Sequence, residues 1–281
     1  MLLTAVAIAP LLLYVATVVE RRLGPAAGGW TTALPFGFAV ALFAVDRAAG
    51  AQAAGELAAG AAQYVPAQIA FGALAGLALM RWGMAAGALA GAASYVAACL
   101  VLAPLSQVVA AAVVVVALAA AAILLPAPRT RSTRERPGWM TALVCASAAL
   151  VVLGGALTSL AAGPAIGGAV TAFPTISTTL AIAVLARGDR RHGAAVLVGL
   201  LRSLPAYLTF ALTAAAAMPR LGLPALGGAA LAATLVATIT WRLMAVAAGG
   251  PAATRGLRAA LARLARPVAE AGRAPAIRPG V

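Results

Sequence analysis

Stretches of about twenty apolar residues, separated by short polar breaks, recur along this chain, and they constrain the fold more than any single motif. A helix of about 20 residues covers a hydrocarbon core of about 30 Å. In lipid, a helix satisfies its own backbone hydrogen bonds, which an isolated strand or loop does not. The balance of residue types agrees: 64% are hydrophobic and 9% charged, against about 25% charged in a soluble domain. The chain therefore reads as an all-α integral membrane protein whose first partner is the lipid bilayer. Its opening run, MLLTAVAIAPLLLYVATVVERR, carries its positive charges after the apolar core. A secretory signal has the reverse order, so this run is expected to stay as a span.

The apolar windows place spans near 2–19, 28–45, 56–80, 84–103, 105–125, 140–160, 165–186, 194–217 and 222–247. One helix over 84–125 would be about 63 Å long, roughly twice the core thickness, and APLSQ at 103–107 supplies a turn. Nine transmembrane helices result. Arginine placement tests the count, because short cytoplasmic loops collect positive charge. With the N-terminus outside and the C-terminus cytoplasmic, sixteen arginines fall inside. They are Arg21, Arg22, Arg81, the four between Arg129 and Arg136, Arg187, Arg190, Arg191, and six in the tail. Only Arg47 and Arg220 fall in outside loops. The formal charge of +14 thus reads as a topology signal for the cell (inner or plasma) membrane, with no nucleic-acid partner.

The chain also repeats itself. GPAAGGWTTALPFGFAVALFAV at 24–45 and GPAIGGAVTAFPTISTTLAIAV at 163–184 align at an offset of 139 residues, and the offset continues through Gly60/Gly199, Pro66/Pro205, Ala67/Ala206, Phe71/Phe210, Arg81/Arg220 and Gly83/Gly222. Each repeat would hold four spans, 1–103 and 140–247, joined by a linking helix over 104–125 and an arginine-rich cytoplasmic loop over 126–139. A basic cytoplasmic tail follows at 248–281, suited to anionic lipid. A single span between the repeats gives them opposite orientation, the inverted-repeat plan of many secondary transporters.

Interrupted helices in matching positions of two halves point to a midplane binding site. Pro174 lies nine residues into its span and removes the donor that Val170 would receive. Pro35 is its repeat mate, and Pro66 and Pro205 form a second pair. Thr171, Thr175 and Thr178 follow i, i+4, i+7 spacing, which would line one helix face with hydroxyls. Arg202 falls inside the span 194–217 with no intramembrane carboxylate to pair with, and a charge there costs at least about 2.5 kcal/mol. Three readings stay open for it: snorkelling to the inner face, binding an anionic small molecule or lipid phosphate, or a helix–helix hydrogen bond. Tyr207 and the pseudo-symmetric Gln63 are polar groups that could help solvate it, and Tyr64 and Gln68 accompany Gln63. GMAAGALAG at 83–91 has the small-residue spacing that lets helices approach closely.

The two cysteines, Cys99 and Cys145, lie in apolar runs without a CxxC partner, and His192 is the only histidine. No metal or cofactor is therefore expected. Walker A, HExxH and DxxD-like patterns are missing as well, so no catalytic constellation stands out and the chain reads as a non-enzyme. The leading expectation is a transporter, permease or flippase for a small or lipid-linked, anionic substrate, its path running between the proline-interrupted helices. The alternative is a membrane subunit that scaffolds a lipid or polysaccharide enzyme. A membrane transferase would need a carboxylate or histidine at an interface, where Asp46 and Glu56 flank one outside loop.

AFPTIS and SLPAYL, with Pro174 and Pro205 31 residues apart, resemble the paired Phe-Pro-Thr and Ile-Pro-Tyr segments of GlpM-type small bacterial inner-membrane proteins. Phe173, Pro174 and Thr175, then Leu204, Pro205 and Ala206, carry the likeness. The first repeat keeps the prolines but reads ALPFGF and YVPAQI. The resemblance implies a small bacterial ancestor duplicated and fused in opposite orientations, and it assigns no biochemical activity.

Overall fold

The structure is a computed structural model that describes residues 35–105, 138–175, 178 and 190–247. Among the described residues the secondary structure is helical, with short turns and no strand. The helices are α1 (Phe36–Ala49), α2 (Ala51–Gln63), α3 (Val65–Trp82), α4 (Met84–Leu102), α5 (Gly138–Ala162), α6 (Pro164–Ala172), α7 (Arg190–Leu221) and α8 (Pro224–Ala247). Three helical stretches are long and apolar enough to cross a bilayer: Ala51–Trp82, Met84–Leu102 and Leu197–Leu221. These apolar helices mark a membrane protein. The expected spans 2–19 and 105–125 lie outside the described residues, as does the tail.

One glycine with positive φ turns the chain at each hairpin: Gly50 at 89°, Gly83 at 94°, Gly163 at 92° and Gly222 at 62°. Side chains with a Cβ rarely adopt that region, so glycine is what allows α1/α2, α3/α4, α5/α6 and α7/α8 to follow one another with almost no loop. The helices of each of these pairs pack together. Between them, α2 packs on α7 and α6, α3 on α7, and α1 on α5.

The core is built of alanine, glycine and a few large side chains. Ala54, Leu57, Ala58 and Ala61 are fully buried at the i, i+3, i+4, i+7 spacing of one helix face of α2. The outer faces carry the large aliphatics instead: Leu231, Leu235, Ile239 and Leu243 form a stripe along α8, and Leu231 is 74% exposed. In a bilayer this arrangement is favourable, since lipid tails are as apolar as leucine and helix association rests on close packing of small residues. At the α2–α6 crossing a Cβ on Gly168 would stand 2.5 Å from the Gly60 carbonyl carbon. On α4, Gly87 faces Leu79 and Gly91 faces Phe71 and Ala75, so the GMAAGALAG stripe seats α4 against α3.

Helix ends differ from the apolar windows in instructive ways. The expected span 56–80 is two helices over 51–82, because the chain bends at Tyr64 (φ −94°, ψ 10°). The expected span 165–186 is broken after Ala172. α4 ends at Leu102, and a turn runs through Leu105, where APLSQ was expected to provide one.

Candidate functional site

The α6 break is the most irregular backbone in the described core. Phe173 is extended (φ −61°, ψ 128°), as the residue before a proline tends to be. Pro174 has no N–H for the Val170 carbonyl, and the Phe173 N–H serves that carbonyl instead at 3.2 Å. That exchange strips Ala169 O of its ordinary i+4 donor. The Tyr95 hydroxyl, from α4, donates to it at 2.6 Å. An unpaired carbonyl in a dry interior costs several kcal/mol, so Tyr95 is what lets the break persist there. Its ring meets Phe173 edge-on with centroids 5.0 Å apart, and Phe71 meets the other side of Phe173 at 5.5 Å. Tyr95 extends the Gly83, Gly87, Gly91 register by one more i+4 step, and that register is the sequence signal that could have singled it out.

The threonines do not form one open polar stripe. Thr171 is buried, and its hydroxyl donates to Gly167 O at 2.9 Å and Gly168 O at 3.1 Å, while its methyl packs toward Gly155. Thr178 donates to Pro174 O through its hydroxyl at 2.8 Å and its backbone N–H at 2.9 Å. Thr175 reaches Phe173 O at 3.4 Å. The break between Ala172 and Pro174 separates Thr171 from Thr175 and Thr178, so the i, i+4, i+7 spacing does not run along one continuous helix.

The prolines behave unequally. Pro174 is buried at the break, and Pro35 stands immediately before α1. Pro66 occupies the first turn of α3, where its missing donor is not needed. Pro205, its repeat mate, sits inside an unbroken α7, a correction to the expectation of four interrupted helices. Hydroxyls flank it: Ser203 donates to Leu200 O at 2.7 Å and Thr209 to Pro205 O at 2.8 Å.

Gln63 is engaged at the end of α4, where its Nε2 donates to Leu102 O at 2.9 Å and to Leu105 O at 3.3 Å. It is committed to those carbonyls and does not solvate Arg202. Arg202 is half-buried in α7 and forms no hydrogen bond or ion pair with another described residue. Tyr207 stacks at a tilt on Phe38, centroids 5.4 Å apart. The Gln68 amide lies beside the Tyr207 hydroxyl, yet neither Gln68 Nε2 nor Tyr207 Oη completes a hydrogen bond with a described residue, although both atoms are buried.

The structure thus gathers Phe71, Tyr95, Phe173 and Pro174 at one break, and Gln68 and Tyr207 at the α3–α7 crossing. The comparisons with known proteins match this chain to no family model, no curated protein and no solved structure.

Proposed function

We propose that the chain is a membrane transporter, permease or flippase of nine spans in two inverted four-helix repeats, whose path runs beside the broken helix α6 and the α3–α7 crossing. The observation that carries the reading is the break at Phe173–Pro174. Non-helical backbone at membrane depth is tolerated where protein or a water-lined cavity surrounds it, and here Tyr95 and two phenylalanines enclose it. Discontinuous helices of this kind build the substrate sites of many secondary transporters.

Several features support the repeat. The helical stretches 51–82 and 190–221 begin and end at the same 139-residue offset. Ala67/Ala206, Phe71/Phe210, Ala75/Ala214 and Leu79/Met218 are all buried, and Gly83/Gly222 both turn with positive φ. The likeness to GlpM-type proteins fits a duplicated ancestor in a bacterial inner membrane. In this reading Arg202 supplies the positive charge that draws an anionic group, free or lipid-borne, toward the crossing.

A second reading, a non-transporting subunit beside a lipid or polysaccharide enzyme, is favoured by the local bonding of Thr171, Thr178 and Gln63. Proteoliposomes separate the two. Efflux of inorganic phosphate and flipping of a fluorescent phosphatidylglycerol are measured for the unsubstituted chain and Arg202→Ala. The transport reading expects one activity, lost in Arg202→Ala while the protein stays inserted. Equal activity in Arg202→Ala refutes the anion role, and no activity with a stoichiometric co-purifying enzyme favours the subunit.

A further inference from the structure

Side-chain contacts show how α7 lies along α2 and α3. On α3 a Cβ on Gly72 would meet Leu201 and one on Gly76 would touch Leu197, while on α2 a Cβ on Gly55 would meet Pro219. The residue numbers of these pairs sum to 273 or 274, so α7 runs antiparallel to both. Repeat mates differ by 139, and the two conditions meet at residues 67 and 206. A pseudo-two-fold axis therefore passes through the crossing there. The surrounding cluster respects it: Val65 and Leu204 are mates and both buried, and Ile69 is the mate of Leu208, which packs on the same cluster.

Gln68 and Tyr207 are also repeat mates, one residue past the axis on each helix. They hold the two buried side-chain atoms that lack a partner among the described residues, Gln68 Nε2 and Tyr207 Oη, and Gln68 is only 3% exposed. Leaving such a group unsatisfied is costly, whereas replacing a polar pair by apolar groups of similar shape is close to neutral. The Phe38 ring fixes the Tyr207 ring, so the hydroxyl is held in the crossing. We infer that the α3–α7 crossing is a binding point for an oxyanion-bearing solute, with Gln68 Nε2 and Tyr207 Oη donating to its acceptor oxygens. Gln68 Nε2 can only donate, and Tyr207 Oη carries an O–H donor beside its acceptor lone pairs. The buried polar side chains among the described residues are Gln68, Ser147, Ser159 and Thr171, none of them an acid that could balance a cation. Arg202 lies five residues before Tyr207 on the same helix, about 7.5 Å along its axis. The inference rests on the transport reading for the solute's route and on the crossing's own geometry for the site.

The test uses the full chain in membranes, with Cys99→Ala and Cys145→Ala removing the native thiols. Gln68→Cys and Tyr207→Cys are reacted with the anionic 2-sulfonatoethyl methanethiosulfonate and the cationic trimethylammonioethyl reagent. Val65→Cys and Leu204→Cys, in the dry cluster, serve as controls. The expected result is sulfonate labelling at 68 and 207 about tenfold faster than at the controls, the weight of one charge-assisted hydrogen bond, and faster than ammonium labelling. Rates no higher than the controls overturn the site, and a preference for the ammonium reagent overturns the ligand class. Labelling as expected in a protein that moves no solute upholds the binding point and removes the transport reading. Should the cysteine variants fail to insert, the Gln68→Leu/Tyr207→Phe double variant decides. Its melting temperature should equal or exceed that of the unsubstituted chain, and a fall of more than about 4 °C would mean the pair is structural.

Discussion

Gly168→Ala tests whether the α2–α6 contact is the close backbone crossing described above. The added methyl would sit 2.5 Å from Gly60 C, 2.6 Å from Ala61 N and 2.8 Å from Gly60 Cα. All three are backbone atoms, so no side chain can rotate away and the helices must separate by close to 1 Å to restore van der Waals distance. Overpacking of that kind costs about 1–3 kcal/mol. Against it stands the gain of about 0.5–1 kcal/mol from replacing a mid-helix glycine by alanine. Gly154→Ala serves as the reference, since a Cβ there would meet Val170 Cγ1 at 3.6 Å, an ordinary contact. The intrinsic gain is common to both, so their difference isolates the clash at about 1–3 kcal/mol. Apparent melting temperature by fluorescence-detected size exclusion reads it out. Gly154→Ala should hold or gain stability and Gly168→Ala should lose it. Equal melting of the two variants would refute the crossing.

Tyr95→Phe keeps the ring and removes the donor to Ala169 O. It should destabilise by about 1–2 kcal/mol and increase hydrogen exchange around residues 169–175, which mass spectrometry would detect. Gln63→Met removes the two hydrogen bonds at the α4 terminus and should cost about 1 kcal/mol in the same melting assay, without altering solute flux. Gly83→Ala forces a Cβ into φ 94°, ψ −170° and should cost about 1–3 kcal/mol, whereas Gly76→Ala, whose nearest neighbour, Leu197 Cδ1, would be 4.0 Å away, should keep the mid-helix gain of about 0.5–1 kcal/mol.

Much of the frame was legible because membrane helices need length and apolarity. The windows at 84–103, 140–160 and 222–247 fall within a few residues of α4, α5 and α8. The proline positions were equally plain, but their consequences were not. Pro66 and Pro205 are repeat mates, yet the chain bends at Tyr64 and stays helical through Ser203, the mate of Tyr64. A serine hydroxyl can reach back to Leu200 O and stay within the helix, an option a tyrosine ring lacks. Long-range partners were invisible for a different reason. That Tyr95 would serve Ala169, 74 residues away, depends on how α4 meets α6, and periodicity places each side chain on a face without saying which helix lies opposite. The same holds for Gln63, whose partners lie 39 and 42 residues ahead.

In the proposed architecture two like halves cross the membrane in opposite directions. Met84 and Leu223 follow the turns at Gly83 and Gly222 and are repeat mates at the 139-residue offset. Cysteines placed at these two positions in a chain without native thiols, and probed in intact cells with a membrane-impermeant maleimide, measure that orientation directly. Leu223→Cys is expected to be labelled from outside, and Met84→Cys to react only after permeabilisation. Labelling of both from the same side would contradict that architecture.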